Sequence, residues 1–291
     1  MIDLHTHTTA SDGRCAPAEL VSRAHHAGVT VLGVTDHDTV APCDATAAAC
    51  RDAGIEFVPG IEITAVRDEV DVHVLGYFVD VHATPLNAFL SGQRQQRFDR
   101  VGRIIAKLAQ LGMPLDVDAI LRPALAHPGT SIGRPAVARA LVAAGYVANT
   151  NDAFITWLSR GRPAFVPREG ASPENVIAQI HAAGGVASLA HPGLLGRDEW
   201  IAALVAAGLD AIEAYHTDHD EAATGRYRAM ATRYGVAVSG GSDYHADASH
   251  GSPYPGSVAL PPEEFARLKA GLTPDTTETD ASLRPLGDAR L

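Results

Sequence analysis

Residues 1–38 read MIDLHTHTTASDGRCAPAELVSRAHHAGVTVLGVTDHD, and their order decides the fold class. A short apolar run over 2–4 is followed by polar residues, then by an Ala-rich amphipathic stretch over 17–27. Pro17 suits the first turn of a helix, and Gly28 suits its stop. A second apolar run, 31–34, follows at once. Strand, helix and strand in close succession form a βα unit, whose strands lie parallel.

The same unit recurs outward from there. Further strands are expected at 57–63, 72–77, 186–189, 211–214 and 236–239. Helices are expected at 42–53, 173–183, 198–206 and 220–234, with Gly54, Gly184, Gly208 and Gly235 as stops. Seven strands at this spacing predict an α/β fold, a distorted βα barrel with one strand fewer than the eight-stranded kind. Between Tyr77 and Val186 the rhythm breaks. That interval reads as helices over 85–111, 134–144 and 151–159, with a short turn near 117–121. The expected organisation is a barrel of residues 1–97 and 171–291 carrying a helical insertion, 98–170, over its mouth. The Thr-rich tail after Gly271 reads as partly loose.

The chain of 291 residues is 46% hydrophobic, enough for one large domain or a domain with an insertion. No apolar run reaches the roughly 18 residues a membrane span needs. His5 and His7 stand so near the start that a cleaved leader would remove them, so no signal peptide is expected. Cys15, Cys43 and Cys50 are odd in number and lack CxxC spacing, which fits thiols in a reducing cytoplasm.

The net charge of −11 argues against general binding of long nucleic acids. Yet from Arg94 to Arg168 ten arginines and Lys107 face four aspartates, a local balance of +7 against −18 for the rest. A basic patch on an acidic chain suggests a small anionic ligand. Arg94, Arg97, Arg100 and Arg103, spaced by three, read as a solvated helix face.

The residues that carry chemistry fall where strands end. His5, His7 and Asp12 follow the first strand, and Asp36 and His37 the second. Glu62 closes the third, and His73 lies in the fourth. His191 follows the fifth, His216 the sixth, and Asp243 and His245 the seventh. Strand ends of a βα barrel converge on one mouth. So many polar groups would be costly in a dry core, and divalent metal ions resolve that cost. Imidazoles and carboxylates without thiolates suit Zn, Mn or Fe. The residual positive field favours a phosphate and an attacking hydroxide. A lone strand-end histidine is usually structural; ligand-type residues at all seven strands are not. His25, His26, His82, His127, His181 and His219 do not share the placement.

Asp3-Leu4-His5-Thr6-His7, Ser11-Asp12-Gly13, Thr35-Asp36-His37-Asp38, Gly60-Ile61-Glu62-Ile63, His73-Val74-Leu75-Gly76, Ala190-His191-Pro192 and Gly241-Ser242-Asp243-Tyr244-His245, in that order, resemble the PHP (polymerase and histidinol phosphatase) family. The resemblance implies a distorted seven-stranded barrel with a trinuclear metal site. It implies a first metal on His5, His7, Glu62 and Asp243. A second would share Glu62 and take His73 and His191, and a third would take Asp12, His37 and His245. The expected cofactor is two or three divalent ions, manganese ahead of iron and zinc. Ile132-Gly133-Arg134-Pro135 and Arg160-Gly161-Arg162-Pro163-Ala164-Phe165-Val166-Pro167 are similar to the branch of nucleoside 3′,5′-bisphosphate phosphatases, some of which also trim short 5′-phosphorylated oligonucleotides.

Glu62 and Asp243 are therefore expected at the reacting centre. Arg134 and Arg160 are expected as phosphate clamps, and His216 as a phosphate ligand or proton donor to the leaving oxygen. Three other readings stand: histidinol phosphatase or another small-phosphoester phosphatase, a metal-dependent amidohydrolase, and a non-catalytic metal module. Many amidohydrolases bridge their metals with a strand-end lysine, but Lys107 and Lys269 are the only lysines and neither has that position.

Overall fold

All seven apolar runs become strands of one sheet. The computed structural model describes residues 1–127, 129–247 and 251–271, so the tail expected to be loose lies outside the described residues. Strands β1 (Ile2–Asp3), β2 (Val31–Val34), β3 (Glu56–Arg67), β4 (Val70–Tyr77), β5 (Val186–Leu189), β6 (Ala211–Tyr215) and β7 (Ala237–Gly240) pair in sequential order. The sheet curls until its edges nearly meet. The Leu4 N–H donates to the Gly240 carbonyl at 3.2 Å, and Thr6 bridges Tyr244 in parallel. Only glycine fits at Gly241, where a Cβ would lie 2.3 Å from the His5 nitrogen.

The expectation of a wholly parallel sheet is corrected. β4 runs antiparallel to both β3 and β5, while the other pairs are parallel. Asp68 and Glu69, at φ 50° and 60°, form a two-residue hairpin turn between Arg67 and Val70. Such turns usually advertise themselves with Asn-Gly or Asp-Gly. This one carries neither, so the reversal left no mark in the sequence.

Helices α1 (Pro17–His26), α2 (Cys43–Ala53), α3 (Thr84–Gln110), α4 (Val117–Ala126), α5 (Arg134–Ala143), α6 (Thr150–Ala153), α7 (Pro173–Ala182), α8 (Pro192–Leu195), α9 (Ile201–Ala206), α10 (Glu221–Tyr234) and α11 (Pro262–Ala270) complete the architecture. The turn expected near 117–121 is a full helix, α4, because Asp116 caps it by accepting from the Ala119 N–H. The stretch expected as helix over 151–159 ends in a π-helical turn, Phe154–Leu158. Besides a smaller cluster formed by α1, β2 and part of α2, most strands and flanking helices share one apolar core, and residues between Val101 and Val166 form a second. α3 belongs to both: Leu86 and Leu90 pack on the barrel, and Val101, Ile104 and Leu108 pack in the second core. The three cysteines are buried and free. Among the described residues no helix is long and apolar enough to cross a membrane.

Candidate active site

The strand-end residues come together as one cluster. Glu62 stands at its centre, almost fully buried, and its two oxygens divide the histidines. Oε2 lies 3.2–3.3 Å from His5 Nε2, His7 Nε2 and His37 Nδ1. Oε1 lies 2.6 Å from His73 Nδ1 and 3.1 Å from His191 Nε2. Asp243 Oδ1 approaches His5 and His7 at 3.2 and 3.1 Å, and Asp12 approaches His245 at 3.2 Å and His37 at 3.6 Å. The reversal of β4 explains His73, whose partner across the hairpin is Thr64 near the end of β3. An antiparallel strand presents its first half, not its last, at the mouth.

These groups fit metal ions better than they fit each other. Among the described residues, both His7 ring nitrogens, His37 Nδ1 and Asp243 Oδ1 are buried without a hydrogen-bond partner, although donors and acceptors stand close by. The N–H and carboxylate directions do not meet. Two donors about 2.1 Å from one ion at a right angle are roughly 3.0 Å apart, close to the spacings found here. Four sets could each hold an ion: His7, Asp12, His37 and His245; His5, His7 and Glu62; His37, Glu62 and His73; His5, His216 and Asp243.

Tautomers discriminate among them. His5 Nδ1 donates to Glu213 Oε1 at 2.8 Å, and His245 Nδ1 donates to the Asp243 carbonyl at 2.8 Å. Each is left with Nε2 as a lone-pair donor toward the centre. His216 is the reverse. Its Nδ1 accepts the Asp218 N–H at 3.1 Å, so the neutral ring carries its proton on Nε2, 3.5 Å from Asp243 Oδ2. That arrangement makes His216 a proton-bearing donor beside Asp243 and argues against it as a ligand.

Charge balance says the same. Burial would raise Asp12, Glu62 and Asp243, but the surrounding histidines hold all three well below the ordinary carboxylate range. Burial would lower His7, yet Asp243 and Glu62 raise it to about 10, and the same acids with Glu213 raise His5 well above its ordinary value. His37 goes the other way, to about 3, through burial. Without cations, protons on His5 and His7 must balance the buried acids.

Glu213, which the sequence reading passed over, holds two of the candidate ligands at once. Besides His5 it accepts the His191 backbone N–H at 2.6 Å. A single acid at a buried position of β6 was its only signal. Asp36 is no ligand in this arrangement. It accepts from the Thr8 N–H and hydroxyl at 2.9 and 2.7 Å and ties the first loop to the second. His191 and Asp243 have φ of 27° and 52°, strained values for residues with a Cβ and common at functional sites. His219, set aside from the sequence, accepts the Gly193 N–H and steadies the loop after His191.

Above the metal-type residues opens a cavity of about 230 Å³ lined also by Arg97, Arg100, Arg134 and Arg168. The solvated-face reading of the arginine stripe is corrected: Arg97 and Arg100 are buried. Arg97 and Arg168 both pair with Asp38, and Arg134 and Arg100 share Asp71 at 3.1 and 3.6 Å. Four guanidiniums thus meet two carboxylates. Burial with the neighbouring Arg134 lowers Arg100 to about 10, and burial with Arg97 lowers Arg168 to about 10. Arg100 Nη2 and Arg168 Nε are buried without a partner among the described residues. Arg134 lines the cavity. Arg160 does not. It is half exposed, 3.0 Å from Glu69 on the hairpin turn, because that acid offers an anchor outside the cavity.

The chain resembles proteins with this chemistry. The PHP domain model matches residues 3–123. A 5′-3′ exoribonuclease of Haemophilus influenzae is 36% identical, covering 84% of this chain and 89% of that protein. A 3′,5′-nucleoside bisphosphate phosphatase of Chromobacterium violaceum is 33% identical over 90% of this chain and 93% of its own length. The crystal structure of a Bifidobacterium adolescentis protein assigned as a metal-dependent phosphoesterase superposes with a TM-score of 0.83 at 33% identity, covering 92% and 95% of the two chains. With its barrel, its central glutamate and its ring of histidines, the chain belongs to the PHP family of metal-dependent phosphoesterases.

Proposed function

We propose that the protein removes the 3′-phosphate from nucleoside 3′,5′-bisphosphates, giving 5′-monophosphates, and by the same bond cleavage trims short 5′-phosphorylated oligonucleotides. The observation that carries this reading is one cavity with two anion-attracting walls: the histidine–carboxylate cluster and the four arginines held by only two aspartates. A substrate with two phosphates engages both. The naming of relatives for bisphosphate and RNA substrates supports the reading.

The ligand set is His5, His7, Asp12, His37, Glu62, His73, His191, Asp243 and His245, holding two or three divalent ions, with manganese favoured. When bound, such ions polarise the phosphoryl group and lower the pKa of an attacking water. Glu62 divides the histidines between its two oxygens. His216, whose Nδ1 accepts the Asp218 N–H, points Nε2 toward Asp243 Oδ2 at 3.5 Å and offers that N–H as a hydrogen bond to a phosphate oxygen. Arg134 and Arg100 take the second phosphate, since a planar guanidinium grips phosphate at two points. Phe154, at the π-helical turn, gives the cavity an apolar wall for a nucleobase. Residues 98–170 act as the cap that supplies specificity. Phosphate release should be compared across AMP, adenosine 3′,5′-bisphosphate and histidinol phosphate. The bisphosphate is expected to lead; a clear preference for histidinol phosphate overturns the substrate assignment.

A further inference from the structure

A second cavity, of about 420 Å³, lies beside the first and shares Ile132 with it. Thr9, Ser11, Arg14, Thr130, Ser131 and Arg139 give it its polar lining, and among the described residues no acid lines it. Ser131 is only 3% exposed, yet its Oγ has no hydrogen-bond partner among the described residues. Neither guanidinium has a hydrogen-bonded or ion-paired partner among the described residues either. Burial and Arg14 push the Arg139 pKa down, against Asp12 and Asp247. The site is tied to the metal-type cluster: the Arg14 N–H donates to the His245 carbonyl at 2.8 Å, and the Ser131 N–H to the Ala10 carbonyl at 2.8 Å. α5 serves both cavities, because five residues turn a helix by roughly 140° from Arg134 to Arg139.

Resting on the bisphosphatase reading above, we propose that Arg14, Ser131 and Arg139 bind the next phosphodiester beyond the cleaved one of a 5′-phosphorylated oligonucleotide. The bond broken is the same for both substrates. Water attacks phosphorus, the P–O3′ bond breaks, the 3′-oxygen takes a proton, and a 5′-mononucleotide departs. With a bisphosphate the other product is inorganic phosphate; with an oligonucleotide it is the shortened strand, keeping the phosphate at its new 5′ end. The substrates differ only in what hangs on the far side of the attacked phosphate. With the 5′-phosphate on Arg100 and Arg134, that far side faces Asp12 and His245, and Arg14 lies just beyond them. A neighbouring cavity of about 930 Å³ also touches Arg14 and Arg139 and adds apolar walls at Leu115, Ile120 and Ala140, room for the downstream nucleoside. Asp116 and Asp247 line that larger space, which places the anion in the smaller one.

The test compares kcat/KM for a 5′-phosphorylated trinucleotide, the matching dinucleotide and adenosine 3′,5′-bisphosphate. Only the trinucleotide carries the extra phosphodiester. It should outperform the dinucleotide by about tenfold, the effect of one charge-assisted contact. The Arg14→Ala/Arg139→Ala variant should erase that advantage and leave the bisphosphate rate unchanged. Arg139→Gln, which keeps much of the stem, should erase part of it if the double variant folds poorly. An absent advantage in the wild type, its persistence in the variants, or a parallel fall on the bisphosphate overturns the subsite. So does turnover of the bisphosphate with none of the oligonucleotides. If no substrate is turned over, the bisphosphatase reading fails, and fluorescence anisotropy of a labelled 5′-phosphorylated trinucleotide decides the subsite alone. Tenfold weaker binding by the variant supports it, and equal affinity overturns it.

Discussion

At the scale of single residues, the cluster stores its charge in protons until cations replace them. His7 is raised to about 10 and His5 is raised as well, so both are protonated near neutrality in the metal-free protein. Divalent ions must displace those protons. Titration calorimetry near pH 7.5, in buffers of different ionisation enthalpy, should therefore show protons released on saturation. Release of none would contradict the ligand roles of His5 and His7. Glu213 orients His5 and His191 together, so Glu213→Gln should weaken metal affinity about 10- to 100-fold while the far-ultraviolet dichroism stays unchanged. Unaltered affinity would reduce Glu213 to a packing residue. Asp243→Asn and His191→Ala should each abolish turnover in folded protein, and a wild-type rate in either would remove that ligand. The motif residues were legible because ligand-type side chains follow short apolar runs. Glu213 was not, since one acid in a buried strand gives no pattern until its partners are seen.

At the scale of elements, the strand boundaries were legible almost throughout, because apolar runs flanked by Gly and Pro leave few alternatives. The direction of β4 was not, because its turn is built from Asp68 and Glu69 without glycine. α3 was legible as a helix, but the role of its arginines depended on Asp38, far away in sequence. Asp38 accepts from Arg97, Arg168 and the Thr64 N–H, fastening α3 and the segment before α7 to the barrel. Removing one partner of a buried pair costs about 3–5 kcal/mol. Asp38→Asn, which keeps its size, should lie near the lower figure in urea unfolding of metal-free protein. Burial opposes ionisation of Asp38, but Arg97 and Arg168 hold its carboxyl at about 2, below its ordinary 3.8. A depressed acid stabilises above its unfolded value and loses that stability as pH falls through its folded one. The gap between wild type and Asp38→Asn should stay level from pH 7 to 4 and close only toward pH 2. A gap that closed by pH 5 would deny the ion pair its part.

At the scale of the whole molecule, a chain of net charge −11 sets four arginines, Arg97, Arg100, Arg134 and Arg168, around one cavity. The segregation was visible in the sequence, and so was Arg134 as a candidate; the place of Arg100 at the cavity was not. Arg160 belongs to the hairpin turn, while Arg100 and Arg134 share Asp71 above the histidines. Two or three equivalents of divalent ion should accompany protein purified without chelator; less than one, with no activation by added manganese, would remove the metal from the account. The central claim is that one cavity reads two phosphates. Steady-state kinetics on adenosine 3′,5′-bisphosphate and AMP, for wild type, Arg100→Ala, Arg134→Ala and Arg160→Ala, test it most directly. The wild type should favour the bisphosphate by at least about tenfold in kcat/KM, the effect of one charge-assisted clamp. Arg100→Ala and Arg134→Ala should narrow that ratio, and Arg160→Ala should leave it intact. Equal efficiency of the wild type on the two substrates would contradict the account.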